Sequence, residues 1–307
     1  MDTILLTTSS FAVDSPVMLQ KLENRGFIVV ANPFKRTLTE DEAEQMMEEY
    51  NPVGIIAGVE PITARVLKKA VKLKVISRCG IGMENVDLGE AKQKKIQVFN
   101  TPDAPSQAVA ELTIALILNL IRRVNEADRN IRGGQWSKLM GRLLSELTVG
   151  IIGCGRIGSQ VALYLKAFGS KVIGFDTLID EHKDIKIVPL PELLKESDVI
   201  TFHVPSTPQT NGMVNDAFIN MVKNGSFIVN TSRGELIDEN ALIRGLESGK
   251  VAAAAIDTFK EEPYKGPLIN FKNVLLTAHM GSYAKEARIK MEQEALENLL
   301  KGMEVSI

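Results

Sequence analysis

The sequence predicts an α/β protein made of two doubly wound units. Short β-branched runs alternate with helical segments almost from end to end, which is the pattern of parallel sheets wrapped by helices. The runs form two sets, one before and one after the stretch that begins near residue 100. The chain has 307 residues, 45% of them hydrophobic, which is enough for two globular domains with cores of their own.

The first unit is predicted from five strand-like runs and two helix starts. Asp14-Ser15-Pro16 is typical of a helix that carries proline in its first turn, and Thr39 with Glu42 has the spacing of a capping box. The strands are predicted at Thr3–Thr7, Phe27–Ala31, Val53–Ala57, Val75–Ser77 and Gln97–Phe99.

The second unit follows the same alternation. A final helical stretch, Ala284–Gly302, has no strand after it, so we expect it to return and pack on the first unit. The strands are predicted at Thr148–Ile152, Lys171–Phe175, Asp198–Phe202, Ser226–Val229, Val251–Ile256 and Asn273–Leu276.

The longest apolar stretch, Ala108 to Ile121, is interrupted by Glu111, Thr113 and Asn119. It is too short to span a bilayer. Because its apolar residues fall on every face, we expect a helix covered by its own domain on one side and by a second subunit on the other. A purely internal core helix is the alternative.

Charge and cysteine content narrow the class of partner. The net charge of −2 leaves no excess of positive charge for a nucleic-acid backbone or an anionic membrane, so a small-molecule substrate is expected. Cys79 and Cys154 are too few for a disulfide scaffold and are expected to be reduced. The segment Met1–Ser10 has the features of neither a signal peptide nor an anchor, so we expect a cytoplasmic protein.

The first motif with chemistry lies in residues 149–158, where three glycines follow a strand and open a helix. Gly153 permits a tight turn, Gly155 lets a pyrophosphate approach the backbone, and Gly158 lets helix and strand pack closely. The next strand ends in Asp176, where an acidic residue binds ribose hydroxyls and repels the extra phosphate of NADP. The motif predicts NAD as cofactor; the alternative is a glycine-rich turn with an ordinary surface aspartate.

Three further segments end strands of this unit, at the edge where ligands of doubly wound folds bind. They supply Arg233, His279 and a carboxylate within residues 256–263. Hydride transfer to a keto acid needs a cation for the substrate carboxylate, an acid/base near neutral pH, and a carboxylate that orients the base. Taken singly, each residue also has an ordinary structural explanation, such as an exposed arginine or a turn cap.

These motifs resemble those of the D-isomer-specific 2-hydroxyacid dehydrogenase family, closest to its phosphoglycerate dehydrogenase-like branch, over nearly the whole chain. The resemblance implies that Arg233, Glu262 and His279 are catalytic and that Asp257 contacts the nicotinamide amide. Residues 203–210 resemble a loop that borders the cofactor, so His203 is expected to be a wall of that site rather than a base. The expected cofactor-binding residues are Gly153, Gly155, Arg156, Ile157, Gly158, Asp176, His203, Pro205, Thr210, Thr231, Ser232, Arg233, Asp257, His279 and Gly281.

The first unit carries a family signature at Arg78–Asp87, with Glu84 where the family usually has aspartate. Its glycines suit an anion-binding turn that grips the substrate carboxylate. The expected substrate-binding residues are Arg78, Gly80, Ile81, Gly82, Arg233 and His279.

The resemblance also implies how the domains are arranged. A Rossmann NAD-binding domain, residues 101–283, is expected to be inserted into a flavodoxin-like substrate-binding domain formed by residues 1–100 and 284–307. In the family, the cleft between the two domains closes over the substrate and excludes water.

The expected activity is NAD-dependent interconversion of a small D-2-hydroxy acid and its 2-keto acid, without a metal, in a homodimer. His279, held protonated by Glu262, would protonate the carbonyl oxygen while Arg233 neutralises the growing charge. The substrate stays open: glyoxylate, hydroxypyruvate, other short 2-keto acids and 3-phosphoglycerate are all candidates. Glu60 has the wrong sign for a phosphate unless a basic residue compensates it, and the candidates for that role are Arg65, Arg78 and the partner subunit's Arg132. An NAD-sensing protein without enzymatic activity is the alternative from another class. The given sequence ends at Ile307, and serine feedback through a C-terminal regulatory extension is not expected.

Overall fold

The computed structural model describes residues 1–8, 11 and 17–303. The helix start predicted at Asp14-Ser15-Pro16 lies outside these residues. The chain divides into two compact units: unit 1 is Met1–Pro105 with Tyr283–Ile307, and unit 2 is Ser106–Ser282. The sequence had placed the two junctions after residues 100 and 283.

The described residues form two sets of parallel strands and the α-helices that connect them. The strands are β1 Thr3–Leu6, β2 Ile28–Ala31, β3 Gly54–Ala57, β4 Val75–Arg78, β5 Gln97–Phe99, β6 Thr148–Ile152, β7 Lys171–Phe175, β8 Lys186–Ile187, β9 Val199–Phe202, β10 Ser226–Asn230, β11 Val251–Ile256 and β12 Val274–Leu276. The helices are α1 Val17–Glu23, α2 Glu40–Tyr50, α3 Ala64–Lys69, α4 Leu88–Gln93, α5 Ser106–Arg122, α6 Val124–Arg132, α7 Arg156–Ala167, α8 Leu190–Glu196, α9 Asp216–Met221, α10 Glu239–Glu247 and α11 Lys285–Gly302.

Unit 1 is organised around a parallel sheet with the order β2-β1-β3-β4-β5. Helix α2 begins with the predicted capping box, because the Thr39 hydroxyl accepts from the Glu42 N–H at 3.3 Å and the Glu42 carboxylate accepts from the Thr39 N–H at 2.9 Å. The last helix, α11, packs against β3, β4 and β5. It buries Met291, Leu296 and Leu299 in the core on that face of the sheet.

Unit 2 is organised around a second parallel sheet, with the order β12-β11-β10-β9-β6-β7-β8. The chain leaves β6 toward β7 on one side and returns to β9 on the other, so the β6/β9 boundary is the switch point of the sheet. Ligands of open α/β sheets bind at the carboxyl ends of the strands at this boundary. The structure therefore has the parallel α/β architecture that the sequence predicts.

Helix α5 is the apolar stretch predicted from the sequence, and it is buried largely within unit 2. Nine of its residues are buried, and it packs against α7, β10 and β11. Its exposed positions, Gln107, Glu111, Ala115 and Arg122, form a narrow stripe. The helix therefore resembles the internal core helix of the alternative prediction, and a second subunit is not needed to cover it.

Within the part of the chain that the structure describes, no helix has both the length and the apolar character needed to cross a membrane.

Candidate active site

The glycine turn joins the end of β6 to the start of α7. Gly153 has φ 93°, a conformation that residues with a Cβ rarely adopt, and a Cβ there would lie 2.5 Å from the carbonyl oxygen of His203. A Cβ on Gly158 would overlap the carbonyl of Gly153. Gly155 differs, since no atom lies within 4 Å of its Cβ position. The backbone is therefore tightly packed at Gly153 and Gly158, whereas there is free space beside Gly155.

Asp176 lies beside this turn at the end of β7. Its Oδ2 accepts a hydrogen bond from the Cys154 N–H at 2.8 Å, and its Oδ1 accepts from the Leu178 N–H at 2.8 Å. The carboxylate is therefore fixed against the turn by backbone donors.

His182 also contacts this region, although no sequence motif indicated it. His182 Nε2 lies 2.9 Å from the Ser159 hydroxyl, which donates to the Cys154 carbonyl at 2.9 Å. His182 Nδ1 accepts from the Asp184 N–H at 3.1 Å, so Nε2 carries the ring proton and donates to Ser159. These contacts tie the loop after β7 to the first turn of α7.

The loop after β10 is held by Asn230. Its side-chain amide donates to the Arg233 carbonyl at 2.8 Å, and its oxygen accepts from the Ser232 N–H at 3.1 Å. Ser232 donates to the Val204 carbonyl, and Thr231 shares a 2.9 Å hydrogen bond with Thr113 of α5. The two residues that precede Arg233 are thus anchored to neighbouring segments of unit 2.

Arg233 lies close to the loop that follows β11. The next residue, Gly234, packs so tightly that a Cβ would overlap the backbone between Phe259 and Lys260. The positive charge of Arg233 acts on Glu262. Gly234 therefore brings the β10 loop against the β11 loop and places the cation beside a carboxylate.

His279 and Glu262 form the central pair of the site. His279 Nδ1 lies 2.9 Å from Glu262 Oε2, and Glu262 Oε1 accepts from the Phe259 N–H at 3.0 Å. The two side chains are 43% and 37% exposed, so solvent and small molecules reach them. His279 has φ 49°, which is uncommon for a residue with a Cβ and is typical of functional sites.

Asp257 holds the loop that carries His279. Its fully buried carboxylate accepts from the Thr277 hydroxyl at 2.6 Å and from the N–H groups of Met280 and Gly281 at 2.9 and 3.0 Å. The His279 N–H donates to the Asp257 carbonyl at 2.8 Å. This positioning role was not predicted, and the contact of Asp257 with nicotinamide stays a prediction.

His203 follows β9 at the switch point. Burial lowers the pKa of its imidazole to about 3, so the ring is neutral near pH 7 and cannot serve as a proton carrier there. Its role as a wall of the cofactor site stays a prediction. The loop beyond it is closed by Thr210, whose hydroxyl donates to the Pro205 carbonyl at 2.7 Å.

The signature loop of unit 1 follows β4. Gly80 has φ 148°, and a Cβ there would overlap the Arg78 guanidinium. The Ile81 carbonyl accepts from the Asn100 side chain at 2.7 Å, while Arg78 donates to the Cys79 carbonyl at 2.7 Å. The loop, which includes Gly82, is well anchored, and its grip on a substrate carboxylate stays a prediction.

The residues around the glycine turn fit an adenine dinucleotide. The open position at Gly155 gives a pyrophosphate room to approach, and no side chain caps the N-terminus of α7, so the positive end of that helix faces the turn. Asp176 suits ribose hydroxyls. Two buried polar atoms, His203 Nδ1 and Thr258 Oγ1, have no hydrogen-bond partner among the described residues and could bind a polar ligand.

Fold and site together define a dinucleotide-binding α/β protein with a histidine–carboxylate pair beside an arginine. Comparison with known proteins identifies the family within this class. Residues 114–281 match the family model described as the NAD binding domain of D-isomer specific 2-hydroxyacid dehydrogenase. The chain belongs to the D-isomer specific 2-hydroxyacid dehydrogenase family, as the sequence motifs predicted.

Named relatives differ in substrate and in length. A D-3-phosphoglycerate dehydrogenase of Methanocaldococcus jannaschii is 40% identical over 87% of this chain and 52% of its own length, so the chain spans about half of that relative. A hydroxypyruvate reductase of Thermotoga maritima is 38% identical over 87% of this chain and 89% of its own. The crystal structure of the TT0316 protein from Thermus thermophilus matches with a TM-score of 0.90 and 35% identity, over 98% of this chain and 97% of that one.

Proposed function

We propose that the protein is an NAD-dependent oxidoreductase that interconverts a small D-2-hydroxy acid and its 2-keto acid. The observation that carries the proposal is the 2.9 Å contact between His279 Nδ1 and Glu262 Oε2, beside the charge of Arg233. These groups belong to the same unit as the glycine turn and Asp176. An acid/base, its carboxylate partner and a cation are the groups that reduction of a keto acid requires.

His279 carries the proton. Because Nδ1 faces Glu262, Nε2 is the nitrogen that donates to the carbonyl oxygen, and the carboxylate stabilises the imidazolium before transfer. In the oxidative direction the neutral ring accepts the hydroxyl proton at the same atom. Bound NADH supplies the hydride that reduces C2.

Glu262 stays ionised at neutral pH. Burial by itself would raise the pKa of this carboxyl, but hydrogen bonds from His279 and the Phe259 N–H outweigh it, aided by the charges of His279 and Arg233, and the pKa is lowered. An ionised Glu262 can hold the proton on His279. Arg233 binds the substrate carboxylate and stabilises the charge that grows on the carbonyl oxygen.

NAD is preferred over NADP because of the charge beside the turn. Asp176 is held in place by two backbone donors, and Asp180 and Glu181 follow in the same loop. Carboxylates at this position accept hydrogen bonds from ribose hydroxyls and repel a 2′-phosphate.

The proposal is tested by following NADH consumption with a panel of short 2-keto acids. We expect turnover with NADH, much weaker turnover with NADPH, and a loss of at least about 100-fold in the His279→Ala variant. Circular dichroism of the variant serves as the control for folding, and NADH binding by the wild type is followed by fluorescence. Tight NADH binding without turnover on any acid would contradict the proposal and favour a sensing role.

The partner is proposed to be a second copy of this chain, bound through residues 124–143. Helix α6 buries none of its residues, and a helix of this length is unstable in water without packing. Beyond it, Trp136 and Met140 are 88% and 87% exposed. The segment borders a groove of about 310 Å³ that includes Phe227 and Val274. In a two-fold interface both copies use the same surface. An exposed side chain of one copy then fills the groove of the other.

This interface is tested by light scattering after size-exclusion chromatography. We expect a mass near twice 33.7 kDa for the wild type and a monomer for Trp136→Ser combined with Met140→Ser. Val71→Ser, which changes an apolar residue of unit 1 that is 80% exposed, should leave the mass unchanged. A monomeric wild type would contradict the proposal.

A cytoplasmic location is proposed as well. The support is that Cys79 and Cys154 are buried and unpaired, which is typical of a reducing compartment. Immunoblotting of cell fractions tests this location. We expect the protein in the cytoplasmic fraction, and its recovery in the membrane or secreted fraction would contradict the proposal.

A further inference from the structure

Glu60 is a buried carboxylate at the carboxyl edge of the unit 1 sheet. It is 1% exposed and lies in the loop after β3. Its Oε1 accepts from the Gly58 N–H at 2.8 Å and from the hydroxyl of Thr7, which follows β1. The carboxylate therefore bridges the ends of two adjacent strands.

The loop that carries Glu60 is held by hydrogen bonds from the signature loop of unit 1. The Asn85 side chain donates to the carbonyls of Gly58 and Glu60 at 3.1 and 2.7 Å. A Cβ on Gly58 would lie 2.8 Å from Glu60 Oε2 and 3.1 Å from the Thr8 Cα. Glu60 thus has little room to turn away from the strand ends.

The position of Glu60 is where unit 1 is expected to meet a ligand. The strand order is β2-β1-β3-β4-β5. From β1 the chain continues to β2 on one side, and from β3 it continues to β4 and β5 on the other, so the β1/β3 boundary is the switch point of this sheet. Ligands of such sheets bind outside the carboxyl ends of the strands at this boundary. A fixed negative charge at this boundary acts on whatever binds there.

The loop that carries Glu60 supplies no compensating cation of its own, and the guanidinium of Arg78, at the end of the neighbouring strand β4, donates to the Cys79 carbonyl at 2.7 Å. Residues 58–63 contain no lysine or arginine, and the two groups that donate to Glu60 among the described residues, the Thr7 hydroxyl and the Gly58 N–H, are neutral. Among the basic residues nearby in sequence, Arg65 is bound by three carboxylates, those of Glu40, Asp41 and Glu44. On the loop after β2, Arg36 forms a 2.6 Å ion pair with Glu42.

We propose that Glu60 is a specificity-determining residue that excludes 2-keto acids with a phosphate on C3 and so selects short, unphosphorylated ones. The proposal rests on the proposed dehydrogenase function and names its substrate class. A buried carboxylate is poorly screened, so an approaching phosphate meets both repulsion and its own loss of hydration. An uncharged hydroxymethyl or methyl group meets neither.

Two substrates that differ only in the phosphate test this inference. The value of kcat/KM with NADH is measured for hydroxypyruvate and for 3-phosphohydroxypyruvate. We expect the wild type to favour hydroxypyruvate by at least about 100-fold, the size expected for a like-charge contact. In Glu60→Gln the ratio should fall at least about tenfold, mainly through a lower KM for the phosphorylated acid.

Two control variants complete the experiment. Glu48→Gln makes the same exchange at an exposed position paired with Lys69, and Lys35→Ala removes an exposed cation from the loop after β2; neither should change the ratio. If Glu60 only ties two loops together, Glu60→Gln would lower stability and leave the ratio unchanged, which would overturn the inference.

The wild type alone also decides the question, even if Glu60→Gln does not fold. Equal or better use of the phosphorylated acid would overturn the inference and leave the dehydrogenase function intact. Absence of turnover on both acids and on every other acid of the keto-acid panel would contradict the proposed function, and the inference would fall with it.

Discussion

At the scale of single residues, the candidate site depends on two carboxylates, one that contacts the histidine ring and one that holds the histidine loop. His279 touches Glu262 through Nδ1, and the loop that carries it is held by the carboxylate of Asp257. The sequence motifs indicated which residues take part. They could not indicate that Asp257 accepts from three donors of the His279 loop, because such contacts depend on backbone geometry.

The His279–Glu262 pair predicts a change in pH dependence when Glu262 is replaced by glutamine. The amide cannot stabilise the imidazolium by charge, so the pH at which the reductive rate is half-maximal should move lower. The maximal reductive rate should fall about 100-fold. Rates are measured from about pH 5 to about pH 9, with Glu261→Gln as the matched control, and superimposable profiles would contradict the account.

The wild-type pair should also tolerate moderate acid. The pKa of Glu262 is lowered in the folded protein. The contribution of the ionised pair is therefore present above the ordinary glutamate value and is lost only as the pH falls through the lowered one.

Asp198 predicts a pH-dependent stability. Its carboxylate, 7% exposed, accepts from the Thr148 N–H, Arg142 and Lys223 at 3.0, 3.2 and 2.8 Å. Burial alone would raise its pKa, but these three donors outweigh it and lower the pKa. Asp198→Asn should lower the free energy of unfolding by about 1–3 kcal/mol at pH 7.

The difference between wild type and Asp198→Asn should shrink as the pH falls. A lowered folded pKa means that the stabilisation is present above the ordinary aspartate value of about 3.9 and disappears as the pH falls through the lower value. Urea denaturation at several pH values measures it. Asp216→Asn, which breaks an exposed pair with Arg244, should cost less than about 1 kcal/mol, and a pH-independent loss at Asp198 would argue against its ionised role.

At the scale of elements, glycine has two different roles at the junction of β6 and α7, one in packing and one in leaving space for a ligand. Gly158 is required for packing, because a Cβ would overlap the Gly153 carbonyl. Gly155 has φ −71° and open space around its Cβ position, so packing does not require glycine there. Its role is to leave room for a ligand.

This difference predicts opposite outcomes for two alanine variants. Gly155→Ala should keep the wild-type melting temperature and bind NADH more weakly, since the methyl group occupies the ligand's space. Gly158→Ala should lose about 1–3 kcal/mol of stability along with NADH binding. Thermal unfolding and NADH fluorescence measure both, and unchanged NADH affinity in Gly155→Ala would show that the pyrophosphate does not pass this turn.

The elements that the sequence missed are short or depend on distant contacts. β8 has two residues, one of them a lysine, which is too short to form a recognisable β-branched run. The break between α5 and α6 falls at Arg123, which has φ 56°, and arginine is not a residue that signals such a turn. The contact between Ser159 and His182 joins positions 23 residues apart, and no local pattern reports it.

At the scale of the whole molecule, strand positions and fold class were predictable and specificity was not. Short β-branched and apolar runs predict four strands at the bounds that the structure shows, because a parallel strand buried on both faces is apolar along its whole length and is bounded by turn residues. These strands are Gln97–Phe99, Thr148–Ile152, Lys171–Phe175 and Val251–Ile256. Substrate choice depends on a few side chains at strand ends. The sequence marks Glu60 only as an acidic residue, and its burial and neutral partners emerge from the fold.

The central claim is that hydride passes between a nicotinamide and C2 of a D-2-hydroxy acid in a site served by His279. The most direct measurement incubates the purified protein with a short 2-keto acid and NADH deuterated at both C4 positions. The product is then analysed by mass spectrometry and chiral chromatography. The account predicts the D isomer with one deuterium on C2, and almost none from His279→Ala. An L product, or a product without deuterium, would contradict it.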